Sequence, residues 1–456
     1  MPDHTPTNAD LLARSLSAVW HPCSQMKRYE SFPLVPVARG AGVWLYDYES
    51  KRYLDAVSSW WVNLFGHCNP RINTALRDQL ETLEHVMLAG FTHGPVVELS
   101  ERLRDLAPAG LGHCFYGSDG ASATEIALKM SAHYWRNSGK AGKTQFISLE
   151  NSYHGETLGA LSVTDVALFR DAYGALIRQQ ATVPSPDWRN ADAGESAEAY
   201  ALRCAASLEQ HLLQHHARLA AFIIEPLVQG AAGMAMYHPV YLRRARQLCD
   251  EYGVHLIADE IAVGMGRTGT LFACEQATAS SHDKGMAGEG LGMTPDFLLL
   301  SKGITGGYLP LSVVMARDEI YQAFYADEAA RGFLHSHSYT GNPLACRAAL
   351  ATLDIFAQDN VLAANRCKAA YLNRAAQPLR EHHAVRNWRN TGMIWAFEVD
   401  SPHRDFAQRC FALALQNGLL LRPVGKTVYF MPPYVISHEE MDVLVGRTLH
   451  TINQLA

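Results

Sequence analysis

Asp296-Phe297-Leu298-Leu299-Leu300-Ser301-Lys302-Gly303 places four consecutive apolar residues before a lysine, and the chain then turns through Ile304-Thr305-Gly306-Gly307. A strand exposed on one face would alternate polar and apolar residues, whereas a parallel strand buried on both faces reads as a continuous apolar run. Comparable runs recur at His113–Gly117, Ala221–Glu225 and His255–Asp259, separated by longer amphipathic helical stretches. The alternation predicts an α/β fold whose parallel sheet is covered by helices. Ligands gather at the carboxyl ends of the strands in such sheets, so the residues closing each run are the candidates for chemistry.

Lys302 closes one run. A lysine amine emerging there is partly desolvated, which lowers its pKa and suits Schiff-base formation with an aldehyde. A surface lysine at a strand end is the competing reading. Asp259 closes another run and brings a carboxylate to the same end of the sheet. A buried Asp there can keep a pyridine nitrogen protonated, as an electron-sink cofactor requires, or it can cap a following helix. Gly117-Ser118-Asp119-Gly120-Ala121-Ser122 lies between a strand candidate and a helix marked by Ile126, Met130 and Tyr134. Backbone N–H groups at a helix start suit a phosphate, and an ordinary Ser/Asp cap is the alternative.

Outward from this core, Gly42–Asp47 and Arg52–Ala56 form a predicted hairpin around Tyr48-Glu49-Ser50. After Pro343 a helical stretch leads to strand candidates at Trp395–Val399 and Thr427–Met431. Residues 277–293, rich in Ala, Ser, Gly and Thr, are expected to form an exposed inserted loop. The predicted organisation is an N-terminal segment of a small domain over 1–70, a large domain over 71–335 and the rest of the small domain over 336–456.

With 456 residues, 48% hydrophobic and 18% charged, the chain has the composition of a globular enzyme able to enclose a cleft. A net charge of −6 offers no basic footprint for nucleic acid or an anionic membrane. Residues 1–16 lack the charged start and apolar run of a secretory leader, no stretch reaches membrane-spanning length, and the nine cysteines show no Cys-x-x-Cys spacing. A cytoplasmic protein with reduced thiols and a small-molecule ligand is expected. Gly264-Met265-Gly266-Arg267-Thr268-Gly269 fits a dinucleotide-binding pattern but no long helix follows it, so a nicotinamide cofactor is not expected. Among the 21 histidines, His211 and His215 have a helical metal-ligand spacing without nearby acids and read as surface residues. His335 and His337 read as lining of a cofactor pocket, and no metal is expected.

Asp259-Glu260 with Gly266-Arg267-Thr268-Gly269, then Ser301-Lys302-Gly303, then Thr340-Gly341-Asn342-Pro343-Leu344-Ala345 resemble, in order and along nearly the whole chain, the class III aminotransferases of the fold type I group. The resemblance implies a large domain with a mostly parallel seven-stranded sheet, a smaller α+β domain from both chain ends, pyridoxal 5′-phosphate as cofactor, and a homodimer with shared active sites. It implies that Lys302 carries the cofactor, Asp259 meets its ring nitrogen, Tyr153 stacks on the ring and Gly120-Ala121 bind its phosphate, assisted by His337-Ser338 of the partner subunit.

Trp20-His21-Pro22, Ser58-Ser59-Trp60-Trp61, Tyr153-His154-Gly155 and the stretch Leu421 to Tyr434 are similar to a branch of that class acting in biotin synthesis on 8-amino-7-oxononanoate. The expected amino donor is S-adenosylmethionine, with lysine as the alternative. That acceptor has a long methylene chain ending in a carboxylate, which calls for an aromatic wall and a cation. Trp60, and secondarily Trp61, would supply the wall and Arg422 a bidentate clamp. Core tryptophans and a structural ion pair are the competing readings. Ser336 and Tyr429 are further substrate candidates. Cys23 stands where the branch often has Tyr, and Glu156 where some members have Asp, which bears on the donor. Another class III ω-amino acid or ornithine aminotransferase would share Lys302 and Asp259. A non-catalytic cofactor-binding regulator is the reading from a different class, although the N-terminal segment is short and not basic.

Overall fold

A computed structural model describes residues 6–277 and 293–456, which form two compact units. The predicted inserted loop, apart from its ends Ala277 and Met293, lies outside the described residues; those two are buried.

The larger unit, Thr74–Arg366 with Thr391–Met393, is built on a seven-stranded sheet. Its spatial order is Leu111–Gly117, Ser312–Arg317, Phe297–Leu300, His255–Asp259, Leu219–Ile224, Gln145–Leu149 and Ala181–Val183. Ser312–Arg317 runs antiparallel to both neighbours and the remaining pairings are parallel, which matches the mostly parallel sheet implied by the resemblance. Phe297, Leu298, Leu299 and Leu300 are all fully buried, so side chains on both faces of this strand are removed from water. Phe297 and Leu299 pack with Ile223, Ile257 and Val314 against Ile126 and Met130 of the helix Gly120–Asn137.

The smaller unit comprises the chain up to Asn73 together with Cys367–Asn390 and Ile394–Ala456. The predicted hairpin is present, with Trp44 opposite Leu54 and Tyr46 opposite Arg52, and Leu419–Leu420 adds in parallel beside Arg52–Asp55. Ile394–Val399 pairs antiparallel with Thr427–Phe430, placing Trp395 opposite Phe430.

The division differs from the sequence expectation at its second boundary. Helix Pro343–Gln358 falls in the larger unit, where it packs on helix Gly94–Leu106. Its buried residues combine the small Ala345, Ala348, Ala349 and Thr352, which allow close helix approach, with Leu350, Leu353 and Ile355. Arg102 Nη1 adds an ion pair to Asp354 Oδ1 at 2.6 Å.

Among the described residues no helix is long and apolar enough to cross a membrane, and the nine cysteines are unpaired. Gly264–Gly269 leads through turns to the short 3-10 helix Ala273–Gln276 and not to a long helix.

Candidate active site

Parallel pairing sets Asp259 opposite Leu299, so Asp259 and Lys302 leave neighbouring strands at the same end of the sheet. Ser301 is extended and donates Oγ to Leu311 O at 2.7 Å, and Lys302 then turns with φ of 46°. A non-glycine residue held in that region costs about 1–3 kcal/mol and needs a surrounding structure that enforces it. Lys302 is half-buried as a residue. Desolvation of its amine is the largest influence on it and pushes its pKa below the ordinary lysine range, while the charges of Asp259 and Glu225 pull it back up.

Asp259 is 4% exposed. Its Oδ1 accepts from Ile261 N at 3.1 Å, a local turn bond, and its Oδ2 lies 2.6 Å from His154 Nδ1. His154 is buried, and its Nε2 has no partner among the described residues. Glu225 follows the next strand, Leu219–Ile224; its Oε1 accepts from Tyr153 N at 3.1 Å and its Oε2 from Gly230 N at 3.0 Å. Burial pushes the Glu225 carboxyl up to about 7, with His154 opposing the shift and Asp259 adding to it. The sequence assigns no role to His154, and marks Glu225 only as the close of an apolar run. Glu225 nevertheless ends a buried strand, the feature that marked Asp259.

Helix Gly120–Asn137 starts at Asp119, whose Oδ1 accepts from Ser122 N at 2.9 Å and whose backbone oxygen accepts from Ala123 N at 3.1 Å. The Asp cap considered from sequence is therefore real, but it leaves the N–H groups of Gly120 and Ala121 without an acceptor among the described residues. They point into the positive end of an 18-residue helix, a place suited to an anion. A Cβ on Gly120 would lie 2.9 Å from Ile261 Cγ2, and one on Gly155, at φ of 120°, would lie 2.6 Å from Ala121 Cβ. Both positions therefore require glycine.

His337 Nδ1 is 3.0 Å from Ser118 Oγ, beside this turn, with exposed Ser336 and Ser338 on either side of it in sequence. The His335 ring lies 5.1 Å from that of His337, and Lys129 Nζ is 2.8 Å from His335 Nδ1. Tyr153 donates its hydroxyl to Glu156 Oε1 at 2.8 Å, and Phe169 meets its ring edge-on. The residue that departs from Asp in some relatives thus acts on the Tyr153 hydroxyl.

In the smaller unit, Ser58–Trp61 forms a single turn in which all four residues have positive φ, between 46° and 74°. Asp55 pins it, accepting from Ser59 N at 2.9 Å and Ser59 Oγ at 2.7 Å, while His67 Nε2 lies 3.0 Å from the same carboxylate. Ser58 Oγ adds a bond to Met431 O at 2.7 Å. The turn parts the two tryptophans. Trp60 is 43% exposed with the Arg422 guanidinium 4.1 Å above its ring, whereas Trp61 is buried and donates Nε1 to Tyr429 Oη at 3.1 Å. Burial pushes the Tyr429 hydroxyl up to about 12, so it stays protonated. Removing the pin in Asp55→Ala is expected to destabilise the protein by about 3 kcal/mol, read as a lower denaturant midpoint; an unchanged midpoint would show that the turn holds without it.

The groups of the larger unit fit pyridoxal 5′-phosphate. They provide an amine with a lowered pKa, a buried carboxylate at the same sheet end and two unclaimed N–H donors at a helix start. Residues 25–452 match the family model described as Aminotransferase class-III. The chain is 44% identical over 454 residues to the adenosylmethionine-8-amino-7-oxononanoate aminotransferase of Helicobacter pylori, covering 98% of each. The crystal structure of the enzyme of that name from Methanocaldococcus jannaschii superposes with a TM-score of 0.89 at 33% identity, over 98% of this chain and 99% of that one. An omega transaminase from Pseudomonas jessenii, in complex with PMP, reaches a TM-score of 0.90 at 26% identity, over 97% and 98% of the two chains. The chain belongs to the class III aminotransferases, and its cofactor is pyridoxal 5′-phosphate.

Proposed function

We propose that this chain transfers an amino group to 8-amino-7-oxononanoate, giving 7,8-diaminononanoate for biotin synthesis, with S-adenosylmethionine as donor in a ping-pong cycle. The observation that carries this reading is the exposed Trp60 with the Arg422 guanidinium stacked 4.1 Å over its ring. An apolar wall beside a cation suits a methylene chain ending in a carboxylate. It agrees with the names of relatives that match over nearly the full chain.

Bound pyridoxal phosphate supplies an aldehyde carbon for amines and a ring that accepts the electron pair left when a substrate carbon loses its proton. Lys302 Nζ would hold the cofactor and, with its lowered pKa, would take a proton from the substrate carbon and return it. Asp259, with His154 on its Oδ2, would hold the ring nitrogen of the cofactor. Glu225 fixes the Tyr153 backbone, and Glu156 its hydroxyl, so the Tyr153 ring is held for stacking. Gly120 and Ala121 N–H groups would take the phosphate, with His337-Ser338 contributed across the dimer to the site of the other subunit. Arg422 clamps the acceptor carboxylate, Trp60 lines the chain, and Ser336 adds a polar contact. Trp61 and Tyr429 back this wall, joined to each other. We place the enzyme in the cytoplasm as a homodimer; Leu334 and Tyr339, 86% and 64% exposed beside Ser336–Ser338, are apolar surface for a partner subunit to cover.

Purified protein loaded with the cofactor and given 8-amino-7-oxononanoate is expected to form the diamine, detected by mass spectrometry, when S-adenosylmethionine is present. The donor is identified from the visible spectrum, since only a competent donor converts the cofactor to its amine form. Conversion by lysine and not by S-adenosylmethionine would replace the donor; no diamine with either would overturn the assignment.

A further inference from the structure

The smaller unit contains a cavity of about 450 Å³ in which Arg422 meets the stretch from Cys23 to Val37, a stretch given no role in the reaction above. Phe32, Val35, Leu45, Phe411 and Leu415 are among the apolar side chains lining it, and two arginines, Arg28 and Arg422, reach it as well. The Phe32 and Phe411 rings stack at 5.2 Å. No aspartate or glutamate lines the cavity, and neither arginine has an ion pair among the described residues. Arg28 sits on the short 3-10 helix Met26–Glu30, and Phe32 N donates back to Arg28 O at 2.8 Å, which ties the cation to the apolar wall. With its amide oriented to satisfy both partners, Gln408 accepts from Arg28 Nη1 at 3.0 Å and Nη2 at 3.1 Å. A neutral amide orients the guanidinium without cancelling its charge. A carboxylate reached by both guanidinium groups would be attracted to each, and a volume of this size holds a small organic ligand.

We propose that Arg28 is a second carboxylate anchor, which with Arg422 fixes the acid end of an apolar-stemmed monocarboxylate in this cavity. The proposal rests on the reading that Arg422 receives the acceptor's carboxylate and adds a residue that selects for that end of the substrate. Guanidinium is suited to it because its planar donor fork pairs with a carboxylate bidentately. Arg28 belongs to the same N-terminal stretch as Cys23, another residue lining the cavity.

The probe is nonanoate, a nine-carbon monocarboxylate without the reacting amine and ketone, titrated calorimetrically into the full-length cofactor-loaded protein. Nonanoate is expected to bind the wild type, to bind Arg28→Ala and Arg28→Gln about tenfold more weakly, and to bind Arg28→Lys with an intermediate affinity. Nonan-1-ol, which shares the chain but not the charge, is expected to bind all four proteins alike. Equal nonanoate affinity in wild type and both neutral variants, no binding to wild type, or an equal loss for the alcohol would each overturn the proposal. Diamine formation by the wild type is measured alongside. If it is absent while nonanoate binding still depends on Arg28, the substrate reading falls and the paired-cation pocket stands.

Discussion

Lys302→Ala is expected to lower turnover by about 10⁴-fold or more, because the variant loses both the nucleophilic amine and the proton carrier, and general acid–base transfer alone contributes up to about 10⁴. The fold places this amine with care. Four buried residues lead to it, Ser301 is bonded to Leu311, and Lys302 itself takes an unfavourable positive φ. Its desolvation lowers its pKa, so an unprotonated amine is available at lower pH than for a surface lysine. The same shift has a consequence for stability. Between the lowered folded-state pKa and the ordinary unfolded value, the unfolded chain binds more protons, so the apoprotein gains stability as pH rises through that window. Below the window the folded state carries a buried charge. Lys302→Met removes that burden, and its apoprotein is expected to melt no lower than wild type at neutral pH while activity is lost. Borohydride reduction followed by peptide mapping should fix the cofactor to the Lys302 peptide in wild type only. Full turnover by Lys302→Ala would refute the role, and a large fall in melting temperature for Lys302→Met would make the lysine structural.

The elements that deliver Lys302 were legible because a strand buried on both faces leaves an unambiguous trace, four apolar residues in Phe297–Leu300 and six in Leu219–Ile224. Asp259 was legible for the same reason, as a charged residue ending such a run. His154 was not, since its contact with Asp259 spans 105 residues and a histidine beside a glycine carries no periodicity. Glu225 carried the right positional trace but reads equally as a strand terminus facing water until Tyr153 N and Gly230 N are seen bonded to it. The turn at Ser58–Trp61 was hidden for a steric reason. Serine and tryptophan both favour negative φ, and the bonds to Asp55, Met431 and Tyr429 that help hold four successive left-handed residues leave no periodic trace in the sequence. An ordinary loop reading could therefore not tell which tryptophan is exposed. The second domain boundary was equally obscure, because Pro343–Gln358 has no compositional break and its assignment depends on its packing against Gly94–Leu106.

Asp259→Asn is expected to lower turnover by two to four orders of magnitude, with a smaller loss of cofactor affinity. The substitution preserves shape, and the amide oxygen can still accept from Ile261 N, so the local turn is retained. What disappears is the negative charge in a position that is 4% exposed. Without it nothing opposes loss of the proton from the ring nitrogen, and a neutral ring is a poorer acceptor for the electron pair released at the substrate carbon. Removing one member of a buried charged arrangement costs about 3–5 kcal/mol, which is the stated range when it falls on the transition state. His154 would lose its anionic partner on Nδ1, leaving an imidazole whose Nε2 is already without a partner among the described residues. Glu225 would lose the neighbouring charge that adds to its raised pKa, so its carboxyl is expected to ionise at lower pH in the variant. The pH profile should then move as well as the rate, an effect that a purely structural aspartate would not produce. Single-turnover kinetics with the amino donor, together with the pH dependence of the cofactor's visible band, measure both. A variant within twofold of wild type, with an unshifted band, would remove Asp259 from the ring nitrogen.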